Sequence, residues 1–95
     1  MAYFLPMPPN LVAWKITIHD KERLEEEPHV SVIKGGCKWR ISLETGEYLD
    51  LEKPGCTMHK QIRKIIEKEE NWELLIEKWN EMYPNNKVGG EEDAD

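Results

Sequence analysis

The amino-acid sequence predicts an α+β fold, an antiparallel sheet of about four strands with two C-terminal helices packed on one face. Three observations carry this prediction. Val12, Trp14, Ile16 and Ile18 alternate with Ala13, Lys15, Thr17 and His19, the period of two that marks a half-buried strand. From Pro28 to Leu51, three further strand-like runs are separated only by Gly35-Gly36 and Glu44-Thr45-Gly46, which read as turns. After Pro54-Gly55 the apolar spacing becomes helical, first in Met58, Ile62, Ile65 and Ile66, then in Trp72, Leu75, Ile76, Trp79 and Tyr83. Strands first and helices after define the class.

Each element has its own signals. Residues 1–10 form a proline-rich arm, and its apolar Tyr3, Phe4 and Leu5 are expected to dock on the protein's own surface. The first strand runs to Asp20, and Lys21 to Glu27 is an almost wholly charged loop interrupted by Leu24. Pro28 opens the next strand, where proline is tolerated. A type I′ turn at Gly35-Gly36 pairs Val32 with Trp39, Val30 with Ile41 and His29 with Ser42. For the second hairpin, a three-residue loop with Gly46 left-handed pairs Ile41 with Leu49, Trp39 with Leu51, Arg40 with Asp50 and Ser42 with Tyr48. A one-residue slip would put Asp50 against the apolar face, so the pattern selects this register. Thr57 is the expected N-cap of a first helix running to about Glu69, and Asn71 that of a second, which Pro84-Asn85-Asn86 stops. Trp14, Trp39, Trp72 and Trp79 fall on apolar faces and belong to the core.

A chain of 95 residues makes one domain, read as the arm 1–10, an α+β body 11–84 and an acidic, disordered tail 85–95. The net charge is −6, but Glu91, Glu92, Asp93 and Asp95 supply four of the 19 acids, which leaves 15 acids against 13 bases elsewhere. The body is nearly neutral and lacks the basic field that nonspecific nucleic-acid binding needs, although a local basic patch fits the composition. No apolar run reaches the length of a membrane span, and the N-terminus lacks the basic leader and apolar core of a secretory signal. Cys37 and Cys56 are therefore expected to be reduced thiols of a soluble, cytoplasmic protein.

The polar residues of the central stretch form the one constellation suited to chemistry. Strand alternation places Val30, Val32, Trp39, Ile41 and Leu43 on one face, and His29, Ser31, Arg40, Ser42, Tyr48 and Asp50 on the other, which is expected to be uncovered. A histidine able to exchange a proton, an arginine able to neutralise phosphate charge and a tyrosine hydroxyl suit metal-independent cleavage of RNA. His29, Arg40, Tyr48 and Asp50 are thus candidate catalytic residues, with Ser31 and Ser42 as binding groups. Against this stands the plain alternative that antiparallel sheets commonly show water a polar face without function. Cys56 and His59 have a metal-ligand spacing, but a structural zinc site needs four ligands, so no metal and no cofactor is expected. Gly35-Gly36 joins two strands and is no phosphate loop.

The same stretch resembles a family of small prokaryotic proteins known only as a domain of unknown function, family 4160. Pro28-His29-Val30-Ser31-Val32 is similar to its Pro-Pro-His-Val-His-Val hallmark, Glu44-Thr45-Gly46-Glu47 to its turn, and Leu75 to Trp79 to its closing helix. Met7-Pro8 matches the usual start, so the resemblance spans roughly residues 7–83. Glu27 stands where the hallmark has its first proline, and Ser31 where it has its second histidine. The resemblance implies one half of a two-gene, toxin–antitoxin-type cassette, with a small protein partner and an RNA-directed activity. The competing expectation is a non-enzymatic interaction module that docks a partner through its sheet edge or N-terminal arm. A homodimer is left open, and no membrane partner is expected.

Overall fold

The structure, a computed structural model, describes residues 3–19, 27–50 and 52–89. Asp20, Leu24, Leu51 and the acidic run from Glu91 onward, all of which entered the expectations above, lie outside them. Four antiparallel strands form one sheet in the order β1 (Tyr3–Phe4), β2 (Lys15–Ile18), β3 (His29–Lys34) and β4 (Cys37–Ser42). Two helices follow, α1 (Lys60–Glu67) and α2 (Glu69–Met82). The α+β class and the strand count are as the sequence predicts. The strands themselves are partly different ones.

The first strand comes from the proline-rich arm. Tyr3 pairs with Ile18 and Phe4 with Thr17, Leu5 N–H donates to Ile16 O at 2.9 Å, and Leu5 is buried. Pro9–Leu11 then make a 3-10 turn, whose first position suits proline's fixed φ. That turn interrupts the alternation expected from Val12 onward. It buries Leu11, leaves Val12 69% exposed, and delays β2 to Lys15.

The β3–β4 hairpin has the expected register, with Val32 opposite Trp39, Val30 opposite Ile41 and His29 opposite Ser42. Its turn is of another type. Gly35 has φ 56° while Gly36 is not in the positive-φ region, so only the first central residue is left-handed, as in a type II′ rather than a type I′ turn.

The segment after β4 departs from expectation. Ser42 N–H donates to Glu47 O at 2.8 Å and Leu49 N–H to Arg40 O at 2.8 Å, so Ile41 faces Tyr48 instead of Leu49. This is a slip of one residue toward a longer loop, opposite in direction to the one that would bring Asp50 against Ile41, and it follows from the turn. Ser42 Oγ accepts from Glu44 N–H and Thr45 N–H, both at 3.1 Å, and closes a four-residue loop ending at Gly46, whose φ is 79°. Leu43 is folded inside that loop and buried. Only an isolated bridge remains where a full strand was expected.

Ile16, Ile18, Val30, Val32, Trp39 and Ile41 share one sheet face and form a single core cluster with Ile62, Ile66, Leu75 and Trp79 of the helices. Truncating a side chain such as Trp79 in that cluster would cost about 3–5 kcal/mol. The helix boundaries correct two expected caps. His59, not Thr57, caps α1, its Nδ1 accepting from Gln61 N–H at 3.0 Å. Lys68 alone separates the helices, and Asn71 Nδ2 donates back to Ile65 O at 2.8 Å, tying off the end of α1. Beyond α2, Asn86 O accepts from Trp79 Nε1 at 2.7 Å and Gly89 N–H reaches Glu44 Oε2 at 3.0 Å.

Cys37 and Cys56 form a disulfide across 5.7 Å between their Cα atoms, which overturns the expectation of reduced thiols. The residues before α1 return along the start of β4, a proximity that separation along the chain does not encode. The bond is at odds with the reducing compartment in which those thiols were expected. Among the described residues no helix is long and apolar enough to cross a membrane.

Candidate functional site

β3 opens at His29 because Pro28 leads the chain into extended geometry. His29 lies on the face opposite Val30, and that face is not the open one expected from alternation. His29 is 2% exposed, Ser31 1%, and Thr17 and Ser42 on the flanking strands 0%. Three of these four polar groups are drawn into local structure. Thr17 Oγ1 donates to Tyr3 O at 2.8 Å, and the His29 ring lies 5.5 Å from the Trp79 ring. His29 Nδ1 donates to the Glu27 carbonyl at 2.8 Å, while Ser42 Oγ donates to the Glu27 carboxylate. Glu27 therefore holds both members of the His29–Ser42 cross-strand pair. Ser31 Oγ is buried with no hydrogen-bond partner among the described residues.

Arg40 and Asp50 come together as the sequence predicts. Arg40 Nε donates to Asp50 Oδ2 and Nη2 to Oδ1, each at 2.7 Å, the fork that a guanidinium and a carboxylate share. The bond from Arg40 holds the Asp50 carboxyl below its ordinary value and outweighs burial, which acts the other way, while the charges of Arg40, Lys38 and His29 each add a smaller lowering. Both side chains are partly solvated, 30% and 42% exposed. The alternation of β4 keeps Arg40 on the face opposite Trp39.

Tyr48 does not join them. The slipped register puts it opposite Ile41, on the side of the helices, with the Arg63 guanidinium 5.0 Å from its ring centre. The six candidate residues thus resolve into a buried His29–Ser42 pair, the Arg40–Asp50 ion pair beside Ser31, and a separate Tyr48. Cys56 is committed to the disulfide and His59 to the α1 cap, so the Cys56–His59 spacing serves structure.

The slip also shapes a groove that alternation did not reveal. Between β4 and the irregular segment leading to α1 lies an open cavity of about 570 Å³, lined by Trp39, Tyr48, Leu49 and Met58 with Asp50, Glu52 and Thr57. Glu52 Oε2 accepts from the Trp39 indole at 2.9 Å and from Met58 N–H at 3.1 Å, pinning this segment to the sheet beside the Cys37–Cys56 bond. The one advance signal of Glu52's role is that a core tryptophan needs an acceptor for its N–H. Beyond Tyr48 and Met58 lies a second cavity of about 330 Å³ with His59, Lys60, Arg63, Lys64 and Glu67 around it, Glu67 being paired with Arg63 at 2.9 Å.

Comparison with family models, with curated proteins and with solved structures finds no match to this chain.

Proposed function

We propose that this protein is a binding module that docks a small protein partner, as one half of a toxin–antitoxin-type cassette would, and acts by contact rather than by catalysis. The observation that supports the reading is the groove beside Trp39. Its volume of about 570 Å³ falls in the range of binding clefts, and its lining combines an aromatic and aliphatic surface with a few fixed polar groups. Tyr48, 44% exposed on its rim, is the kind of side chain that anchors protein contacts.

Ribonuclease-like chemistry at His29 and Arg40 has less support. It needs a histidine that substrate can reach and an arginine turned toward phosphate. His29 is packed under Trp79, and both forks of Arg40 close on Asp50. The sheet edges are weaker docking sites than the groove, since β1 is two residues long and the outer edge of β4 is partly taken by the Ser42–Glu47 and Arg40–Leu49 backbone bonds.

Two experiments decide between the readings. Capture of the neighbouring gene's product by the purified protein is expected, and failure to capture it removes the proposal. Expressing the protein alone beside His29→Ala should leave growth unaffected in both strains. Growth arrest that disappears with His29→Ala, in a variant that remains folded, would establish an enzyme instead.

A further inference from the structure

The geometry points to a specific occupant for the groove beside Trp39: a partner segment that carries a lysine or arginine next to an aliphatic residue. This inference rests on the partner-binding reading and names the chemistry of the contact. Among the described residues, Trp39, Tyr48, Leu49 and Met58 give the cavity its apolar lining, and the charged groups in it are Asp50 and Glu52, both acidic. A bare apolar slot would take any hydrophobic side chain. An apolar floor with two carboxylates selects one whose aliphatic stem ends in a cation, as the stems of lysine and arginine do.

The two carboxylates are unequal. Asp50 already holds the Arg40 guanidinium through both oxygens and offers an incoming cation little beyond its field. Glu52 uses Oε2 for the Trp39 indole and the Met58 N–H, which leaves Oε1 without a partner among the described residues. Glu52 is therefore the acceptor, held in place by the same bonds that seat Trp39 beneath the ligand. Trp39 itself is 3% exposed and forms the floor of the groove, so the stem rests mainly on Tyr48, Leu49 and Met58. An acidic segment is disfavoured at this end, and beyond Tyr48 and Met58 sit Lys60 and Lys64, with Arg63 paired to Glu67. The groove consequently has a direction, with the partner's cation at the Glu52 end and its aliphatic residue toward Met58 and Tyr48.

The test uses three short synthetic peptides of equal length, alternating leucine with lysine, leucine with glutamate, and serine with lysine. Binding is followed by amide and indole shifts of the whole protein. The leucine–lysine peptide should bind and shift the Trp39 indole and the Met58 methyl, while the other two bind more weakly. Glu52→Gln keeps an oxygen for the Trp39 indole but removes the charge, and should weaken the leucine–lysine peptide by about fivefold. Met58→Ala should weaken it with the charges intact. Equal binding of the leucine–glutamate peptide, shifts that map away from the groove, or indifference to Glu52→Gln in a folded variant would overturn the inference. If the neighbouring gene's product is captured equally by wild type and Glu52→Gln, the partner reading stands and the groove assignment fails. If that product is not captured while the leucine–lysine peptide still binds in the groove, the reading fails and the assignment stands.

Discussion

Cys37 and Cys56 join the first residue of β4 to the irregular segment before α1, a bond that closes 19 positions of chain. That segment carries Glu52 and Met58, and among the described residues its one internal backbone bond runs from Cys56 N–H to Lys53 O at 3.0 Å. The disulfide is therefore its covalent tether, beside the Glu52 bonds to the Trp39 indole and the Met58 N–H. A loop of this length, constrained in the unfolded chain, should contribute roughly 3 kcal/mol in the chain-entropy model. Urea unfolding with and without a phosphine reductant should show that loss, and the Cys37→Ser, Cys56→Ser double variant should match the reduced protein. Coincident transitions, or two free thiols in the protein as purified, would remove the bond from the account.

The Arg40–Asp50 fork gives stability a particular pH dependence. Asp50 titrates lower in the folded chain than the ordinary value of 3.8 because Arg40 holds its charged form. An acid whose folded value is depressed contributes fully above its unfolded value and loses that contribution as pH falls through the folded one. Asp50→Asn should thus cost about 1 kcal/mol or less near neutrality, since both partners are partly solvated. The gap between wild type and variant should close as pH falls below about 3.8. Urea midpoints of the two proteins across that range check it, and a gap that persists at low pH would contradict the pairing.

What was legible in the sequence follows from which forces decide each element. Apolar alternation and the paired glycines sufficed for the β3–β4 register, because a slip there would expose Val30, Val32 and Ile41 together. Arg40 and Asp50 were legible as partners because the long arginine side chain reaches the carboxylate even though the segment carrying Asp50 slipped. The slip itself was not. It depends on the Ser42 hydroxyl capping two backbone N–H groups, a side-chain bond that apolar periodicity cannot express. β1 was missed as a strand because two residues carry no period, and its pairing is set by where the arm docks. The burial of His29 was equally invisible, since alternation assigns a residue to a face without saying what covers it. The groove needs the slip, the disulfide and the irregular segment together, so no single pattern could announce it.

Ser31 supplies a test of the buried polar face. Its Oγ has no hydrogen-bond partner among the described residues, and a buried hydroxyl without one sacrifices its hydration for nothing in return. Ser31→Ala should therefore leave stability unchanged or raise it by about 1 kcal/mol, the reverse of the usual effect of a core truncation. Thermal and urea unfolding measure this directly. A loss of about 2 kcal/mol would show that the hydroxyl has a partner after all.

The hairpin turn separates two glycines that the sequence treats alike. Gly35 has φ 56°, a conformation that costs an L-residue about 1–2 kcal/mol, whereas Gly36 is not in the positive-φ region. Neither position has a neighbouring atom within 4 Å of where a Cβ would sit, so packing does not enter and backbone conformation alone decides. Gly35→Ala should accordingly destabilise by about 1–2 kcal/mol. Gly36→Ala should be neutral, or stabilise by about 0.4–1 kcal/mol by reducing the freedom of the unfolded chain. Equal losses at both positions in urea unfolding would restore the type I′ turn, which needs positive φ at each, whereas the contrast expected here requires only the first glycine.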